Sequence, residues 1–208
     1  MSGGPVRDFP LFPLGLVALP GEVVPLHIFE ERFKTMMEGC LADEREFGIV
    51  WLSDDGLREI GCACEITEVV DRTEDGQLDI LTRGTRPFQL LEREDHLPYP
   101  AGVVEFLADR EEAVDGAIAA IARETYAELV ERATDNRPEQ LGLAKMSAYD
   151  MAGTVDFGLD AKQGLLDIRS ENARLRLVTR LFRAAMKRLE FVSHAQTRAR
   201  SNGKVRFG

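Results

Sequence analysis

Apolar residues fall in two different rhythms along this chain. From residue 9 to 108 they form short runs rich in β-branched residues: LFPLGLVAL (11–19), FGIVWL (47–52), IGCACEITEVV (60–70), QLDILT (77–82), FQLLE (88–92) and GVVEFLA (102–108). Such runs, bounded by turn residues, predict strands. Asp55-Gly56 and Asp75-Gly76 mark tight turns, and the second predicts a hairpin between good strand candidates. Many short strands with few intervening helices point to a barrel or sandwich rather than a parallel α/β sheet.

After about Asp109 the period becomes helical. Val114, Ile118, Ile121, Tyr126 and Leu129 predict a helix within 111–133 that Arg137-Pro138 stops. A second helical stretch is expected over about 139–156 and a short one near 160–168. The last helix is the longest: Ser170 is its N-cap, and Leu175, Val178, Phe182, Ala185, Leu189 and Val192 step by three and four. Arg174, Arg176, Arg180 and Arg183 fall mostly off that stripe. The fold class is therefore α+β: a β-rich part with one inserted helix (1–110), a helical bundle with a long final helix (111–194), and a basic flexible tail (195–208).

The stretch LPGEVVPLHIFEERF (19–33) joins the two rhythms. Pro20 and Gly21 occupy the second and third positions of a type II turn. Val23 to Ile28 reads as a strand, and Phe29, Phe33, Met36/Met37 and Cys40/Leu41 then recur at helical spacing. Glu30 and Lys34 stand i, i+4 in the favourable order.

Charge alters the functional picture. Net charge is −10, distributed as −12 over residues 1–110 (10 Lys/Arg against 22 Asp/Glu) and −3 over 111–186 (10 against 13). The segment 187–208 carries +5 (6 against 1). An acidic body disfavours general nucleic-acid binding. No apolar run approaches the roughly 18–20 residues that span a bilayer, so no membrane association is expected. Asp8 and three prolines interrupt the apolar part of the N-terminus, against a secretion signal. Three cysteines give no even disulfide framework, and the cytoplasm is the expected compartment.

Candidate chemistry is sparse. His27 with Glu30 and Glu31 is not H-E-x-x-H, and no second histidine lies within a helical turn. Cys62 and Cys64 share a strand face, yet no second pair completes four ligands, so they are read as core residues. The six serines form no G-x-S-x-G elbow, and Walker A and G-x-G-x-x-G patterns are absent. Neither metal nor cofactor is expected. Trp51, Phe88 and Tyr99 are the large side chains to consider for binding, with simple packing the favoured reading of each; Trp51 ends a strand, and Tyr99 stands between two prolines in LPYPAG (97–102).

FPLFPLGLVALPGEVVPLHIFEERFKTMM (9–37) resembles the opening signature of the Lon protease amino-terminal domain. Pro25, Leu26, Ile28, Phe29, Glu30, Arg32 and Phe33 match it after the Pro20-Gly21 turn. GCACEITEVVDRTEDGQLDILTRGTRPFQLLE (61–92) resembles the second block at Gly61, Gly76, Gly84 and Phe88. AKQGLLDIRSENARLRLVTRLF (161–182) resembles the closing bundle, with Gln163, Leu165, Leu166, Arg174 and Leu175 in register. Leu19 stands where an aromatic is frequent, and Pro87 where an arginine is frequent, with Arg86 beside it.

The resemblance implies a PUA-like β pseudo-barrel plus helical bundle, standing alone without ATPase or protease modules. It implies a non-catalytic module that binds unfolded or extended polypeptide, or a partner protein such as a separately encoded protease, at the barrel–bundle junction. Trp51, Arg86 and Tyr99 are the expected contacts. Pro20, Gly21, Pro25, Phe29, Glu30, Arg32 and Gly84 are expected to build the fold. RNA binding and independent hydrolysis are the alternatives, the first weakened by the acidic body and the second by the lack of a nucleophile–base pair.

Overall fold

In the computed structural model, residues 4–202 are described, with side-chain surroundings given through Phe191. The strands are β1 (Val6–Leu14), β2 (Val23–Ile28), β3 (Phe47–Ser53), β4 (Gly56–Leu57), β5 (Ile60–Arg72), β6 (Leu78–Glu94) and β7 (Ala101–Phe106). The helices are α1 (Glu31–Ala42), α2 (Gly116–Thr134), α3 (Gln140–Leu143), α4 (Ala148–Ala152), α5 (Leu159–Asp167) and α6 (Glu171–Asn202). Side chains of the expected basic tail, and residues 203–208 altogether, lie outside the described residues. No described helix is long and apolar enough to cross a membrane.

The sheet runs β1-β7-β6-β5-β3-β4, and a parallel pairing of β1 with β3 closes five of these strands into a barrel. Phe9, Leu11, Val50, Ala63, Phe88 and Val104, drawn from all five, form one buried cluster. The Phe88 ring needs glycine opposite it: a Cβ on Gly61 would come within 2.6 Å of the ring. β2 lies outside the ring, antiparallel to the first half of β6. A larger buried cluster runs without interruption from β1, β2 and α1 into α2, α4, α5 and α6. Barrel and bundle therefore share apolar packing.

Several expectations change in physical detail. The first strand is Val6–Leu14, not 11–19; Val17, Ala18 and Leu19 are apolar because they are buried in a loop. Residues 77–82 and 88–92 belong to a single strand, β6, which passes through Gly84 and Pro87 without breaking. The helix expected over 139–156 is two short ones, α3 and α4. Asp115 caps α2 by accepting from the Ala117 and Ile118 amides, which leaves Val114 outside the helix. Small residues, Ala119 and Ala122, together with Tyr126 and Leu129, make the packed face, while Ile121 is 51% exposed. On α6, Ser170 accepts from the Ala173 amide as expected of an N-cap.

The turn at 19–22 forms as expected, with Glu22 N donating to Leu19 O (3.0 Å) and Gly21 at φ +84. It sits directly on β6. Gly21 N donates to Gly84 O (2.8 Å), and Gly84 N donates to Glu22 O (2.9 Å). A Cβ on Gly84 would stand 2.2 Å from the Leu19 carbonyl oxygen. Glu22 also accepts from the Leu19 amide (3.0 Å) and pairs with Lys162 of α5, joining the barrel to the bundle.

A second fastener lies at the other end of the bundle. Arg174, expected off the packed stripe, is only 3% exposed. Its guanidinium donates to both carboxylate oxygens of Asp109 after β7, to Glu171 and to the Ile168 carbonyl (2.8 Å), and it lies 4.3 Å from the Tyr149 ring centroid. The hydrogen bonds from Arg174 hold the Asp109 carboxyl below its ordinary value.

Stability rests on both contacts. Gly84→Ala must lift the 19–22 turn from β6; overpacking of this kind costs about 1–3 kcal/mol, and a Tm unchanged from the parent would contradict it. Arg174→Met strands Asp109 and Glu171, costing roughly 3 kcal/mol, or about 6–12 °C in Tm. Because the Asp109 value is depressed in the folded state, its contribution is complete above about pH 4 and fades as acid protonates it. The Tm gap between the parent and Asp109→Asn is therefore expected at pH 7 and should narrow as the pH falls below about 4.

Candidate functional site

The principal concavity is a groove of about 740 Å3 on one side of the α2–α6 seam. Leu129 and Val130 of α2, Val155 and Phe157 of the α4–α5 loop, and Leu181 and Leu189 of α6 supply most of its apolar lining. Local contacts hold it open. Tyr126 and Thr154 share a hydrogen bond (2.9 Å) that pins the loop to α2, and the Phe157 ring packs on Phe182 at 5.5 Å. Arg132 and Glu190 form an ion pair between α2 and α6. Beyond the groove Phe191 is 76% exposed.

Asp156 lines this groove and also a smaller crevice of about 250 Å3 at the barrel–bundle junction. Leu16, Val23, Pro25 and Leu159 border the crevice, and the Glu22–Lys162 pair lies at its side. The bundle groove and the junction thus meet at one residue. A separate recess of about 380 Å3 opens where β4 and β5 face α5, between Arg58, Ile60, Gln163 and Asp167. Gln163 Nε2 donates to the Ile60 carbonyl (3.1 Å) and to Asp167 (2.8 Å). Gln163 Oε1 and Arg58 Nε are buried and have no hydrogen-bond partner among the described residues.

The three residues expected to bind do not converge. Tyr99 accepts a hydrogen bond from Arg45 (3.1 Å), and Arg86 pairs with Glu46 (2.7 Å) while lying 3.7 Å from the Phe106 ring centroid. Arg86 and Tyr99 therefore flank one barrel corner, where α1 leads into β3. Trp51 stands four residues further along β3, about 13 Å away at strand rise, with the Arg58 guanidinium 5.1 Å above its ring. Trp51 alone lies near the recess beside α5.

The fold-building residues sort differently. Pro20, Gly21 and Gly84 meet in the docked turn. Pro25 lies in β2 opposite Leu81 of β6. Phe29, expected on the packed stripe of α1, is 60% exposed and stacks on His27 (centroids 5.9 Å), because α1 begins two residues later. Glu30 pairs with Arg32 (2.8 Å) rather than Lys34. Lys34 reaches instead to Glu31 (2.6 Å) and to the Asp75 carbonyl (2.8 Å) in the β5–β6 turn.

His27 and the cysteine pair, the chemical candidates of the sequence, have these surroundings. His27 faces Asp79 across the β2–β6 ladder at 2.7 Å, and both are half exposed. Cys62 and Cys64 are buried, free and adjacent. The Cys64 thiol is pushed up by its hydrogen bond with Cys62 and by burial, which opposes thiolate formation. Among the described residues no group of three His, Cys, Asp or Glu side chains could hold a metal ion.

The groove, the crevice and the recess are the contact surfaces this geometry offers. Sequence reading missed the bundle groove, whose walls come from three separated segments, and Arg58, which carries no motif. One signal was present in the sequence: Leu189 lies on the long apolar stripe of α6 and is 40% exposed, so the stripe outruns its packing partners.

Comparison with known proteins agrees with this architecture. Residues 8–184 match the family described as the ATP-dependent protease La (LON) substrate-binding domain. A Lon protease of Anaeromyxobacter dehalogenans (strain 2CP-C) is 24% identical over 190 residues, 83% of this chain and 22% of that protein. The chain thus spans about a fifth of that relative's length. The crystal structure of a Lon N-terminal domain protein from Xanthomonas campestris superposes with a TM-score of 0.63 at 24% identity, covering 81% of this chain and 94% of that one. The N-terminal domain of a Mycobacterium avium complex Lon protease gives 0.64 at 19% identity, covering 84% and 97%. With the family match extending through the barrel and most of the bundle, the chain belongs to the LON substrate-binding domain family.

Proposed function

We propose that this chain is a non-catalytic recognition module that holds extended or unfolded polypeptide in the α2–α6 groove and its continuation at the barrel–bundle junction. The family match supports substrate recognition as the role, and it covers the substrate-binding rather than the catalytic part of Lon. The observation that carries the reading is the groove itself, about 740 Å3 and lined mainly by aliphatic and aromatic side chains. Apolar surface of this extent is a common mark of a binding site. It takes apolar side chains of any sequence, and the meeting at Asp156 lets a chain continue towards Val23 and Pro25.

Each apolar side chain seated there contributes about 2 kcal/mol, offset by the ordering of a flexible ligand. Affinity is therefore modest, with Kd on the order of tens of micromolar. In the recess near Trp51, Arg58 Nε and Gln163 Oε1 are buried without a hydrogen-bond partner among the described residues, so a peptide amide that reached them would satisfy an unpaired donor and an unpaired acceptor.

Anisotropy of a dye-labelled, casein-like unfolded chain tests the reading. The parent should bind saturably, and Val155→Glu with Leu189→Glu should weaken binding roughly tenfold or more, equivalent to about 1.4 kcal/mol. Saturable binding that survives this double variant and is lost with Trp51→Ala would move the seat to the recess. Absence of saturable binding to the parent would overturn the reading.

A further inference from the structure

On the other side of the α2–α6 seam the chemistry reverses. Arg176, Arg180 and Arg183 follow one another at i, i+4 and i+7 on α6, so they share one face and span about 10 Å. They border a groove of about 520 Å3 whose floor holds Ile118 and Ile121 of α2 and Ile168 before α6. Ile121 and Arg183 also line a neighbouring concavity of about 550 Å3, so the two run on into each other along the seam.

None of the three guanidinium groups makes an ion pair among the described residues. The nearby carboxylates are engaged elsewhere or lie at one end. Glu112 acts on Arg176 only through space, its own contacts going to Ser170 and Asn172. Glu124 is held by Arg137, and Glu128 sits at the far end of the second concavity.

Three uncommitted arginines on one helix face are conspicuous in a chain of net charge −10, whose acidic residues repel rather than recruit anions in general. Beside them lies aliphatic surface, which a phosphate or carboxylate group alone would leave uncovered. We propose that this face is a docking site for an acidic amphipathic helix of a partner protein. Carboxylates spaced at i, i+4 and i+7 along one edge of that helix would pair with Arg176, Arg180 and Arg183, and aliphatic residues along the adjacent edge would cover Ile118 and Ile121. Arginine suits the task because its fork donates two parallel hydrogen bonds to a carboxylate. An apolar helix edge laid in a groove with a charged border is an established way of joining two proteins. The site is separate from the polypeptide groove and uses the opposite face of α6.

A synthetic helix of about 18 residues, carrying Glu at i, i+4 and i+7 beside a leucine edge, serves as the probe. Its twin carries Gln at the same places. The Glu peptide should bind the full chain roughly tenfold more tightly than the Gln peptide. That preference should shrink as salt rises from about 0.05 to 0.5 M. Arg176→Gln, Arg180→Gln and Arg183→Gln together should abolish the preference; all three side chains are exposed, so circular dichroism and Tm should match the parent.

Ile121→Ser should weaken both peptides alike. The Val155→Glu, Leu189→Glu protein, altered in the other groove, should bind both normally. Equal affinity for the two peptides overturns the proposal. So does a preference that persists in the triple variant. Two other results replace the occupant and overturn it equally: a short RNA that outcompetes the Glu peptide, or self-association of the parent in sedimentation equilibrium that the triple variant removes.

Discussion

The seating of the Leu19–Glu22 turn on Gly84 is the contact from which the rest of the architecture is hung. The turn donates to and accepts from the backbone of residue 84, so the chain leaving β1 is locked across the middle of β6. This placement starts β2 in register along the first half of β6, from Val23 opposite Arg83 to Ile28 opposite Leu78. The same turn supplies Glu22, whose carboxylate receives Lys162 of α5. Gly21 stands close to Asp150 of α4, and Gly153 close to the Glu22 side chain. A four-residue turn therefore touches a strand and two helices at once, and little space remains in which barrel and bundle could slip past each other.

The Arg174 cluster completes that arrangement from the far side. Asp109 follows β7, the last barrel strand, and Arg174 opens α6, so their bidentate pairing fixes where the long helix leaves the barrel. A buried guanidinium is costly unless every proton direction is used. Here Asp109, Glu171, the Ile168 carbonyl and the Tyr149 ring provide the compensation. Anchored at its start by Arg174, α6 carries two unlike faces: an apolar one that lines the large groove with α2, and an arginine-bearing one opposite. One rigid helix thus serves two surfaces without either altering the packing of Leu175, Val178 and Phe182 between them.

Sequence periodicity made the division into strands and helices legible, together with β2, the Asp75-Gly76 hairpin, the Pro20-Gly21 turn and the Ser170 cap. Those features are local, encoded by residues within a few positions of one another. It misplaced what tertiary contact decides. Gly84 and Pro87 look like strand breakers, yet β6 continues through them because the missing Cβ at 84 makes room for a turn 62 residues earlier. Phe29 looks like the first residue of an apolar stripe and is exposed because the helix starts after it. Arg174 looks like one of several surface arginines, and its burial depends on Asp109, 65 residues away, as well as on Glu171, the Ile168 carbonyl and the Tyr149 ring.

The concave surfaces were less legible for the same reason. Trp51, Arg86 and Tyr99 were singled out by size and chemical type, and neither property reports which sheet edge a side chain reaches. The barrel sends Arg86 and Tyr99 to a corner already filled by Glu46 and Arg45, where their polar groups are engaged internally. Trp51, with the unpartnered Arg58 Nε nearby, remains next to an open recess. The groove could arise only after α2, α6 and the Thr154–Phe157 segment had been brought together, since no one of them is concave. Small residues make this possible: Ala119 and Ala122 let α2 approach α6 on its packed face, while the larger Val130, Leu181 and Leu189 keep the rims apart. A groove built this way depends on helix spacing more than on any single side chain, and the pair at Arg174 fixes where α6 begins.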